Sequence, residues 1–155
     1  MENKFLDMAI NLASDNVKSG NGGPFGAIIV KNGEIVATGV NTVTTKNDPT
    51  AHAEVNAIRN ACSKLDNFQL EGCEIYSSCE PCPMCLGAIY WSHIDKLYYA
   101  ANKDDAAQAG FDDSFIYKEL EVSISDRRLF TKPINLINKL EPFTLWNEMN
   151  EKIEY

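Results

Sequence analysis

Phe5, Leu6, Ala9, Leu12, Ala13 and Val17 recur at steps of three and four, the spacing of one helical face, and predict an amphipathic helix over residues 3–18. Ser19-Gly20-Asn21-Gly22-Gly23-Pro24 interrupts that period. The pattern then changes to β-branched runs. FGAIIV reads as a strand, Asn32-Gly33 supplies the residue types of a type I′ turn, and EIVATGV reads as the return strand of a β-hairpin. Asp48-Pro49 predicts the N-cap and first residue of a second helix over residues 50–65, with Val55, Ile58, Ala61, Cys62 and Leu65 as its apolar stripe. CEIYSS (73–78) reads as a strand, CLGAIYW (85–91) as a helix and KLYYAA (96–101) as a strand. Such alternation, with short connections, implies a central sheet covered by helices.

Past residue 101 the periodicity weakens. Residues 102–110 read as a loop, 112–119 as a short helix and INLIN (134–138) as a last strand, and Pro142 opens a final helix through Met149. The chain has 155 residues, close to the size of one domain, and at that length roughly 70% of the unfolded surface can be buried. With no repeat, linker or low-complexity tract, one domain over residues 1–155 is expected.

Composition narrows the class of partner. Hydrophobic residues are 45% and charged residues 23%, ordinary for a globular protein, but the net charge is −8 and no stretch concentrates Lys and Arg. The mean field repels polyanions, so a small neutral substrate is expected and a nucleic acid is not. Glu2 and Asp7 interrupt the apolar residues of the N-terminus, which predicts neither a signal peptide nor a membrane partner and places the protein in the cytoplasm. The cysteines number five, and Cys79, Cys82 and Cys85 lie within seven residues. That clustering suits a metal site in a reducing compartment better than disulfides. Cys62 on a helical stripe and Cys73 at a strand start are expected to be buried, and His93 to lie at the surface.

His52-Ala53-Glu54 and, about thirty residues later, Pro81-Cys82-Pro83-Met84-Cys85 match the H-x-E…P-C-x-x-C pattern of zinc nucleobase deaminases. Cys82 and Cys85, three apart at a helix start, can turn both sulfurs to one side while His52 approaches from another helix start. Three protein ligands leave a tetrahedral Zn2+ with one open position, as a catalytic site requires. Glu54 does not share a helical face with His52, which suits it to proton transfer rather than metal binding. Cys79 leaves an alternative open, a closed Cys3His site that would stabilise the fold without activating water.

TAHAEVNAIRNAC, SCEPCPMCLGAIYWSHI, AGFDDSFIYKEL, NGGPFGAIIVKNG and the terminal Glu-Tyr resemble the bacterial guanine deaminases of the cytidine deaminase superfamily. The resemblance spans nearly the whole chain. It implies a three-layer α/β/α sandwich with a mixed central five-stranded sheet, and a homodimer that exchanges C-terminal segments over about residues 140–155. It also implies hydrolytic conversion of guanine to xanthine and ammonia with Zn2+ on His52, Cys82 and Cys85, Glu54 and Asp113 acting in proton transfer. Phe25, Asn41, Ala53, Trp91 and Tyr155 become the expected substrate-binding residues, Tyr155 from the partner subunit. A tRNA adenosine deaminase is the rival reading, since it shares a similar cysteine helix.

Overall fold

In the computed structural model, residues 2–155 are described, and they fall into two units divided after Asp113. The first contains α1 (Glu2–Lys18), β1 (Gly26–Lys31), β2 (Glu34–Val40), α2 (Val43–Lys46), α3 (Ala53–Leu65), β3 (Cys73–Cys79), α4 (Pro83–Trp91), β4 (Lys96–Ala101) and α5 (Lys103–Gln108). The strands form one mixed sheet in the order β2-β1-β3-β4, antiparallel except for the parallel pair β3/β4, whose connection carries α4. Asn32 and Gly33 both have positive φ, 52° and 80°, the conformation of the type I′ turn expected there.

The strand period distributes the core onto two faces. Ala27 and Ile29 of β1 and Cys73 and Ile75 of β3 pack with Ala53, Ala57, Ile58 and Ala61 of α3 and Ile89 of α4. The alternate residues Ile28, Val30 and Tyr76 pack instead with Phe5 and Ala9 of α1. Helices therefore cover both faces of the sheet. Close approach of α3 to β2 depends on Gly39, where any side chain would run into the backbone of Ala53 and Ala57. Ile29 is fully buried in a central strand, and Ile29→Ala is expected to cost about 2–5 kcal/mol, read as a lower denaturant midpoint at unchanged slope.

Four strands are present among the described residues, where five were expected. The missing one is INLIN. Residues 134–138 are irregular chain and turn, and Ile134, Leu136 and Ile137 are exposed. An apolar run becomes a strand only when a ladder partner takes its backbone groups, and this run has none. Two further expectations are corrected. Residues 103–108 are helical rather than loop, because Asn102 and Asp105 form a reciprocal capping box, the Asn102 side chain accepting from Asp105 N and the Asp105 carboxylate from Asn102 N. The second helix starts at Ala53 instead of residue 50, since the Asp48 carboxylate closes a turn on the N–H and hydroxyl of Thr50, at 2.8 and 2.7 Å.

The second unit, Ser114–Tyr155, contains α6 (Ser114–Glu121), a short 3-10 turn at Ile124–Asp126 and α7 (Glu141–Glu148). Glu119 accepts from the Arg128 N–H at 2.8 Å, which folds the turn back on α6. None of its helices has a buried residue, and Leu129, Phe130, Ile137, Phe143 and Leu145 are exposed. Among the described residues no helix is long and apolar enough to cross a membrane.

Candidate active site

Two helices begin at neighbouring points, and each has an unusual residue at its N-cap. His52 precedes α3 and Cys82 precedes α4, both in extended conformation, and neither side chain makes the N-cap hydrogen bond of its helix. N-cap positions ordinarily carry Ser, Thr, Asp or Asn to satisfy the first N–H groups. Here the two side chains are free to turn toward each other, with Cys85 in the first turn of α4 completing the group.

The donor atoms of His52, Cys82 and Cys85 all lie within 4.8 Å of one another. His52 Nδ1 is 3.6 Å from Cys82 Sγ and 3.4 Å from Cys85 Sγ. A tetrahedral ion with bonds of about 2.3 Å to sulfur and about 2.05 Å to nitrogen places such atoms about 3.6 Å apart. The donor set and its spacing therefore fit a metal ion with one position left over. Thiolate character is already built in. Cys82 is held down to about 4, chiefly by the hydrogen bond from the Cys85 thiol, with His52 adding to it. Cys85, the donor in that bond and fully buried, is pushed up, and His52 is raised by its bond to Cys82.

Glu54 stands in the first turn of α3 and is 5% exposed, rare for a carboxylate. Burial raises its pKa, and a hydrogen bond with Cys85 and one from Ser77 Oγ, at 3.1 Å, partly offset this. Asp113 is also raised, by burial and then by the charge of Cys82. Cys79 does not join the group. Its thiol donates to the Asn102 carbonyl at 3.5 Å and burial pushes it up to about 11, so the closed Cys3His arrangement is not formed among the described residues.

Asn41 is buried at the end of β2, and its Oδ1 accepts from Gly23 N at 3.3 Å and Val43 N at 3.2 Å. With the oxygen occupied by the backbone, the side chain offers a ligand its Nδ2 hydrogens. The amide thus presents a donor to a ligand rather than a donor and an acceptor together. Phe25 packs edge-on against Phe111, ring centroids 5.0 Å apart, and Ala53 is fully buried. Trp91, in the last turn of α4, is 68% exposed, and Tyr155 in the second unit is 75% exposed. Cys73 is buried and Cys62 half-buried. Periodicity did not single out Ser77 and Ser78. The signal was the adjacent polar pair Ser77-Ser78 in the strand CEIYSSC, where alternation lets only one of two neighbours share a face with the apolar residues.

The cytidine and deoxycytidylate deaminase zinc-binding region matches residues 1–101. The chain belongs to this deaminase family. It is 55% identical over 151 residues to the guanine deaminase of Bacillus subtilis, covering 97% of each chain. The X-ray structure of guanine deaminase from Bacillus subtilis superposes with a TM-score of 0.97 at 54% identity, covering 99% of this chain and 98% of that one. A tRNA-specific adenosine deaminase of Aquifex aeolicus is 46% identical over 97 residues, 63% of this chain and 64% of that protein. Likeness to the tRNA deaminase thus leaves over a third of this deaminase unmatched, whereas likeness to the guanine deaminase includes nearly all of it.

Proposed function

We infer that this deaminase hydrolyses guanine to xanthine and ammonia. The observation that carries the chemistry is a carboxylate, Glu54, buried beside three donors spaced for a metal ion. The base is assigned by near full-length likeness to a guanine deaminase.

His52, Cys82 and Cys85 would hold Zn2+, which when bound supplies Lewis acidity and lowers the pKa of water toward about 7. Glu54 takes the proton of the attacking water and delivers it to N3 of the base as the oxygen adds to C2. A tetrahedral carbon results. Glu54 then takes the proton of the C2 hydroxyl and, assisted by Asp113, gives it to the amine, so that the C2–N bond breaks, C2=O forms and ammonia leaves; one carboxylate thus acts as base and then as acid. The raised pKa values of both groups suit them to give protons as well as take them. Phe25 and Trp91 would cover the flat purine and Asn41 Nδ2 would donate to an acceptor on its rim, while Ala53, fully buried, has no surface to offer it.

The second unit fits a role in a homodimer. A helical segment with no buried residue and many exposed apolar side chains must find its cover on another surface. A second copy of the chain is that surface in this reading, with residues about 140–155 exchanged so that Tyr155 closes the partner's pocket. Zinc as the resident metal, a cytoplasmic location and a free purine base rather than nucleic acid complete the proposal, the last in keeping with the net charge of −8.

Incubation of the purified protein with guanine, adenine, cytosine, their nucleosides and tRNA, followed by ammonia release, tests the assignment. Guanine is expected to be the preferred substrate. Turnover of cytidine or tRNA without turnover of guanine overturns it.

A further inference from the structure

Asn16 lies in the last part of α1, 3% exposed, and takes no part in the chemistry above. Its Nδ2 group donates to two backbone carbonyls at once, Gly23 O and Asn41 O, each at 2.9 Å. Its own carbonyl accepts from Ser19 Oγ and Asn21 N–H, each at 3.1 Å. One residue thereby ties the end of α1, the loop over residues 19–24 and the Asn41 backbone together. The loop can come so near only because residue 22 is glycine, where a side chain would collide with the Asn41 carbonyl oxygen. Asn16 Oδ1 is buried without a partner, so the hydrogen bonds of this side chain are all made by its Nδ2 group. A residue that only filled space would be apolar.

The same loop sets the Asn41 side chain. Gly23, whose carbonyl Asn16 grips, turns its N–H onto Asn41 Oδ1, and Val43 N–H meets that oxygen from the other side. On the α3 side, Asn56 Nδ2 donates to Val40 O at 2.8 Å and Thr42 Oγ1 at 3.0 Å. Backbone and oxygen being fixed, the Asn41 Nδ2 group has one direction left.

We propose that Asn16 is a positioning residue for the substrate: by holding Gly23 and the Asn41 backbone, it aims the Asn41 Nδ2 hydrogens at a hydrogen-bond acceptor of the base. The proposal rests on the reading that Asn41 contacts the base. Leucine or methionine at position 16 could fill the volume but could not serve both carbonyls. Aspartate would set an acceptor against two acceptors.

The test compares Asn16→Ala, Asn41→Ala and the double variant with the unaltered enzyme in kcat and KM for guanine, bound metal and Tm. Asn16→Ala is expected to raise KM about 10-fold with kcat within about threefold and the metal retained, and the double variant to be no worse than Asn41→Ala alone. A lowered Tm with unchanged KM, or effects that multiply in the double variant, overturns the positioning role. If Asn41→Ala itself leaves KM unchanged, the reading of Asn41 as a base contact fails, and the proposal fails with it. Should Asn16→Ala not fold, Asn16→Ser keeps one donor and is expected to raise KM by about threefold; an unchanged KM overturns the proposal.

Discussion

Glu54→Gln is expected to lower kcat for guanine by about 10²–10⁴-fold while leaving the metal bound. The substitution keeps the volume of a side chain that is 5% exposed and retains an oxygen for the Ser77 hydroxyl, so the fold around it has no reason to change. What it removes is the ability to take a proton and return it. Glu54 is suited to both directions because burial raises its pKa, which brings it nearer the pH at which the enzyme works. Steady-state kinetics with metal analysis by mass spectrometry check this. A metal-loaded variant of full activity would take Glu54 out of the reaction.

Cys85→Ala is expected to weaken metal affinity by more than the about 10–100-fold that loss of an outer partner costs, and to abolish turnover. Cys79→Ala is expected to do neither, since its thiol is committed to the Asn102 carbonyl. A chelator should reproduce the first result in the unaltered protein, with activity returning when zinc is restored. Metal content and ammonia release, measured together, separate the two cysteines. Loss of metal from the Cys79 variant with retention in the Cys85 variant would reverse the assignment of ligands.

The two cysteine predictions differ although both residues belong to C-x-x-C pairs ending or beginning at Cys82. Spacing alone leaves them equivalent in kind. Their difference arises from backbone direction: Cys79 ends β3, whereas Cys85 lies in the first turn of α4, on the side facing His52. The exposed second unit carries a related lesson. INLIN has the composition of a strand, yet four strands form, because strand formation needs a ladder partner that composition does not specify.

The sequence by itself determined the helix over α1, the hairpin with its Asn32-Gly33 turn, β3, α4 and β4, and it singled out His52, Cys82 and Cys85, whose donor atoms the fold brings within 4.8 Å of one another. These are local properties, set by periods of two and 3.6 residues, by turn chemistry and by ligand spacing within single helix starts. Only the tertiary structure decided that Asp48 caps a turn instead of α3, that Ser77 reaches Glu54, and that backbone N–H groups occupy the Asn41 oxygen and leave its nitrogen for a ligand. The Val43–Asn41 bond is local, but the Ser77–Glu54 bond joins residues 23 positions apart and the Gly23–Asn41 bond residues 18 apart. No local pattern encodes such a pair, because the bond exists only once the sheet and both helices have brought the backbones together.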